Sequence, residues 1–71
     1  MDLGDYKVSL EAARVNAGLS RLEASTQIGV SVNTLASYEA GKTAPTLPTL
    51  KKMCQVYKAP IDSISFVQKS H

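Results

Sequence analysis

The chain holds few groups able to do covalent chemistry. It has one cysteine, Cys54, and one histidine, His71. Two such ligands are too few for a metal centre. No nucleophile stands near a plausible base and no glycine-rich loop is placed to cradle a phosphate, so neither an enzyme, a cofactor nor a small-molecule ligand is expected. Cys54 falls on an apolar stripe and reads as a buried, inert thiol. What remains is recognition chemistry. In the run Ser31 to Glu39, if Leu35 and Tyr38 turn inward, then Val32, Asn33, Ser37 and partly Thr34 turn outward. An outward face of small, polar side chains suits base edges better than it suits a core.

Short helices must carry that face. Ser20 with Glu23 three residues on forms a capping box that opens a helix running to about Gln27. Gly29 supplies the positive φ of a tight reversal, and Ser31 caps a further helix, Val32 to about Glu39, stopped by Gly41. Two short helices joined by three or four residues have the spacing of a helix-turn-helix. The second would be about 12 Å long, of a diameter that fits a major groove about 12 Å wide. Around this unit the sequence predicts three more helical segments. Ser9 to Asn16 places Leu10, Ala13, Arg14 and Ala17 on one face, with Gly18 after it. Residues from Thr46 place Leu47, Leu50, Met53, Cys54 and Tyr57 at three- and four-residue steps, Pro48 falling harmlessly in the first turn. A last short segment, Ile61 to about Phe66, follows Pro60. Strands are not expected, since alternating β-branched runs are absent apart from Val30 to Val32. The ends, Met1 to Lys7 and Val67 to His71, lack periodicity and are expected to fray.

At 71 residues the chain has room for one core, and residues 1–71 are read as a single domain. Net charge is +2, mild for a nucleic-acid binder. Residues 1–41 carry three basic and five acidic groups, whereas 42–71 carry five basic and one acidic, so the positive field should lie toward Lys42, Lys51, Lys52 and Lys58. With a lone cysteine and no secretion signal, the expected compartment is the cytoplasm. No apolar run approaches the roughly 18 residues of a membrane span.

From Leu10 to Ile64, about three quarters of the sequence, the chain resembles the phage repressor and Cro-like helix-turn-helix family. The resemblance rests on GLSRLEASTQIGVSVNTLASYEAGKTAPTLPTL, the Met53 to Tyr57 helix and the IDSI ending. It implies an all-α fold, a compact five-helix bundle of the lambda-repressor-like DNA-binding type. It also implies that Ala24, Ile28, Val30, Leu35 and Tyr38 are core positions, that Ser25 is the small residue where the two helices cross, and that Arg14 pairs with Glu39. Double-stranded DNA is the implied partner. Base contacts fall to Val32, Asn33 and Ser37; Ser31 and Thr34 fall near phosphates or the groove edge; Arg21, Lys42 and Thr43 fall on phosphates. Asn33 stands out because an amide can bond an adenine edge bidentately. The chain departs from the pattern at Arg21, usually glutamine, at Ala24, usually leucine, and at Ser25, usually alanine; Leu22 either fills the thinned core or stands exposed, as a lone surface leucine or a partner contact.

A sequence-specific transcriptional regulator of repressor-like action is the expectation. One recognition helix reads few base pairs, so two copies on half-sites about 34 Å apart are expected, joined through Ile64, Phe66 and Val67. The competing reading is a protein-interaction module on the same fold, such as an anti-repressor, antitoxin or adaptor, with little or no DNA binding. It draws on the charge near the motif, where Glu23 and Glu39 balance Arg21 and Lys42.

Overall fold

A computed structural model describes residues 8–65. The four α-helices are α1 (Leu10–Asn16), α2 (Arg21–Ile28), α3 (Val32–Ala40) and α4 (Leu47–Tyr57). Each begins in the same way. Ser9, Ser20, Ser31 and Thr46 hold an extended backbone, and each side-chain oxygen accepts the amide three residues on, at 3.0, 3.1, 3.0 and 3.4 Å. Such caps satisfy amides that have no partner within the helix, and each contributes about 1 kcal/mol. At α2 the box closes in both directions, because the Ser20 amide donates to Glu23 at 2.8 Å. That bond to the Ser20 backbone holds the Glu23 carboxyl below its ordinary range.

The turn between α2 and α3 depends on Gly29, whose φ of 94° lies in the left-handed region. The Ser25 carbonyl then accepts the amides of both Gly29 and Val30, at 2.8 and 3.0 Å, which closes the end of α2 and sets the angle at which α3 leaves. Gly41 ends α3 in the same conformation.

Helix α2 packs on both α3 and α4, with α1 against α3 and α4. The buried apolar side chains are Leu10, Ala13, Ala24, Ile28, Leu35, Leu50, Met53, Cys54, Tyr57 and Ile64, and Leu35 and Met53 have no exposure at all. Ser25 is buried at the crossing, its hydroxyl donating to the Leu22 carbonyl at 3.0 Å. Val30 and Tyr38 are partly buried against this core. The apolar stripe of α4 begins at Leu50, since Leu47 in its first turn is exposed, as is Ala17 after α1. Leu22 is 66% exposed and does not fill the space left by the small Ala24.

Among the described residues the expected fifth helix does not form. Residues Ile61–Ser63 make one 3-10 turn, after which Ile64–Ser65 (β2) pairs in parallel with Val8–Ser9 (β1). Three residues after Pro60 are too few to propagate an α-helix, and β-branched Ile64 is accommodated by extended backbone while its side chain enters the core. The same pairing corrects the expectation of no strands. Ile64 is therefore not free to join two copies; Phe66 and Val67 lie outside the described residues, as do Met1 to Lys7 and His71.

Burial separates two leucines that look alike in sequence. Leu35→Ala should cost about 2–5 kcal/mol, lowering the melting temperature by roughly 10 °C or more, whereas Leu22→Ala should stay within about 0.5 kcal/mol of the parent. Thermal denaturation followed by circular dichroism compares them, and equal losses would return Leu22 to the core.

Candidate nucleic-acid interface

Four of the sequence-predicted residues meet on one surface. Arg21 from the start of α2, Asn33 and Ser37 from α3, and Lys42 from the loop after α3 line a shallow groove of about 410 Å3. Backbone bonds put Lys42 there. The Ser37 carbonyl accepts the Lys42 amide at 3.0 Å and the Thr43 amide at 3.5 Å, folding the loop back along the end of α3. Asn33, Lys42 and Thr43 are exposed, and Ser37 is half-buried. Ala36 and Ala40, neither singled out from sequence, complete its lining. Their signal was present, since 33, 36, 37 and 40 recur at helical spacing along one face.

The remaining predicted residues stand at the front of α3. Val32, in its first turn, is exposed. The Ser31 hydroxyl accepts the Thr34 amide and donates to Thr34 Oγ1 at 2.9 Å, so both hydroxyls are engaged in starting the helix, and Thr34 is half-buried. Among these groups Thr34 Oγ1 keeps a hydrogen to donate outward.

Beneath the groove lies an ion cluster. Glu39, with its side chain 2% exposed, accepts Arg14 Nε on Oε2 at 2.7 Å and Arg21 Nε on Oε1 at 3.0 Å. Arg14 is itself buried, and its Nη1 donates to the Leu19 carbonyl at 2.9 Å. The bond to Glu39 raises the Arg14 pKa further above its ordinary value against the opposing effect of burial, so the guanidinium stays charged. Arg21 differs in exposure: its side chain is 48% exposed and, among the described residues, only its Nε is bound. Arg14 also stands 3.9 Å from Glu11, so Arg14 and Arg21 are balanced by Glu39 and Glu11, and Lys42 is the cation of the groove outside this cluster.

Residues 10–64 match the family model described as helix-turn-helix. The chain belongs to the helix-turn-helix family. Over 56 residues it is 40% identical to the cryptic phage CTXphi transcriptional repressor RstR of Vibrio cholerae, a match covering 79% of this chain and 50% of that protein. The chain therefore spans about half the length of that relative, and the helix-turn-helix is of the phage repressor and Cro-like kind. No solved structure matches it. Among the described residues no helix is long and apolar enough to cross a membrane, and no group of three or more His, Cys, Asp or Glu side chains is placed to hold a metal ion.

One polar group of this helix-turn-helix is left over. The Tyr57 hydroxyl is buried with no hydrogen-bond partner among the described residues, and burial, aided by the Glu39 charge and opposed by Arg14, pushes its pKa up to about 12. The fold thus favours neutral Tyr57. Its contribution is fully present below the ordinary value of 10 and is lost as pH rises toward about 12. Tyr57→Phe should be close to neutral at pH 7, since no bond is broken, and should lose less stability than the parent on going to about pH 11. Urea midpoints at both pH values measure this; an equal alkaline loss in both proteins would contradict it.

Proposed function

We propose that residues 10–64 form one DNA-binding domain of a sequence-specific transcriptional regulator, which acts in repressor fashion by occupying an operator. The observation that carries this reading is the shared groove of Arg21, Asn33, Ser37 and Lys42, which combines two hydrogen-bonding side chains with two cations on the outer face of α3. In this reading α3 enters the major groove. Val32, Asn33 and Ser37 meet base edges, Asn33 on an adenine and Val32 against a thymine methyl group. The small Ala36 and Ala40 allow the helix backbone to come close to the bases.

Phosphates are met on both flanks. The amides that open α2 carry the positive end of the helix dipole, and with Arg21 they hold one phosphate. Lys42 and Thr43 hold another, with Ser31 and Thr34 at the groove edge. These contacts set orientation and carry no sequence information. A single α3 reads only a few base pairs, so two copies on half-sites about 34 Å apart supply the affinity. Such a regulator works in the cytoplasm on chromosomal or phage DNA, with no catalysis and no cofactor. That the RstR relative is a transcriptional repressor supports the same assignment.

Selection of bound sequences from a random duplex pool should enrich a short motif. On that motif Asn33→Ala should relax preference at one position, with a change of about 1–3 kcal/mol there, while Lys42→Ala should weaken all sequences alike and reduce the slope of log affinity against log salt by about one. A pool that enriches nothing, with no duplex binding at low salt, would overturn the proposal in favour of a protein-interaction module.

A further inference from the structure

The two oxygens of Glu39 are divided between two arginines from different helices. Oε2 takes Nε of Arg14 at 2.7 Å, and Oε1 takes Nε of Arg21 at 3.0 Å, with Arg14 Nη2 more distant at 3.4 Å. A guanidinium is a rigid planar fork, so fixing Nε fixes the direction of both terminal nitrogens. Arg21 remains about half exposed and lines the groove beside Asn33, Ser37 and Lys42.

We propose that Glu39, besides tying α1 to α3, is a positioning residue for DNA that holds Arg21 ready to bind a phosphate through its terminal nitrogens. The proposal rests on the DNA-binding reading above and goes beyond it in assigning a favourable role to a carboxylate. By charge alone, an acid beneath a DNA-binding groove lowers affinity, and removing it should raise affinity. Glu39 escapes that expectation because its side chain is withdrawn from solvent and its charge is shared between Arg14 and Arg21. Its effect on the groove is then geometric: Arg21 is ordered before DNA arrives, and the ordering entropy is not lost on binding.

Atom count says how to separate the two effects. An amide at position 39 offers one acceptor oxygen in place of two. Buried Arg14 would keep it, and Arg21 would be released without loss of its own charge. A lysine at position 21 presents its donors from one point in place of a planar fork, so it cannot hold Glu39 and also aim separate nitrogens outward in a fixed direction.

The test is fluorescence anisotropy with a labelled mixed-sequence duplex over a salt series, for the parent, Glu39→Gln, Arg21→Lys and the double variant. Glu39→Gln and Arg21→Lys should each weaken binding roughly three- to tenfold, and the double variant no more than either alone. The salt slope should stay near that of the parent, because every variant keeps a cation at position 21, and the non-additivity of the two changes is what loss of folded protein alone would not produce. Tighter binding by Glu39→Gln, or parental binding by Arg21→Lys, would overturn the proposal. If Glu39→Gln is unfolded at the assay temperature, the half-exposed Arg21→Lys variant decides by the same criterion. Absence of duplex binding by the parent at low salt would instead overturn the DNA-binding reading itself, and this proposal with it.

Discussion

Glu39 lies in the last turns of α3 with its carboxylate almost withdrawn from water, and arginines from the end of α1 and the start of α2 converge on it. Few side chains in a domain this small are placed to fix three helices at once. Arg14 extends the link to the chain between α1 and α2 through the Leu19 carbonyl. The orientation of α3 relative to α2 is thus set twice, by Leu35, Ile28 and Ala24 in the apolar core and by this cluster at the rim. A buried pair of this kind adds little net stability, but removal of one partner strands a charge and costs about 3–5 kcal/mol. Its value lies in the angle it enforces, because a groove shared by Arg21, Asn33, Ser37 and Lys42 exists only at that angle.

The remainder of the surface depends on small side chains. Ala36, between Asn33 and Ser37, and Ala40, at the end of α3, keep the groove side of the helix low, and the loop is drawn in behind them by the bonds from Lys42 and Thr43 to the Ser37 carbonyl. Capping and recognition also share atoms. The Ser31 and Thr34 hydroxyls that start α3 are bound to each other, so the front of α3 is stiffened by the groups proposed for the groove edge.

Much of the fold was legible because its signals are local. Each helix start is written within four residues, as in Ser20 with Glu23, and the reversals after α1, α2 and α3 in one glycine each, so α2, the turn and α3 could be read directly, whereas α4 ends on left-handed Lys58. The last segment could not. The pattern after Pro60 is short, and the pairing of Ile64–Ser65 with Val8–Ser9 joins residues far apart in sequence. Periodicity also placed Leu47 and Ala17 on apolar faces without knowing where the neighbouring helices end. Of the candidate site, Asn33, Ser37 and Lys42 followed from the outward face and the resemblance. The bond of Arg21 to Glu39 did not, because it spans 18 residues and requires the α2–α3 crossing to be known first. A residue expected to serve phosphate alone is also part of the framework.

The central claim is that the face formed by the starts of α2 and α3 and by the loop after α3 is the one that meets DNA. Amide chemical shifts of the isotopically labelled chain, recorded while a duplex is added at low salt, test it most directly. The largest changes should fall on residues 20–23, 31–37 and 42–43. Changes confined to the opposite groove at Asn16, Gln27 and Lys58, or no changes at all, would contradict it.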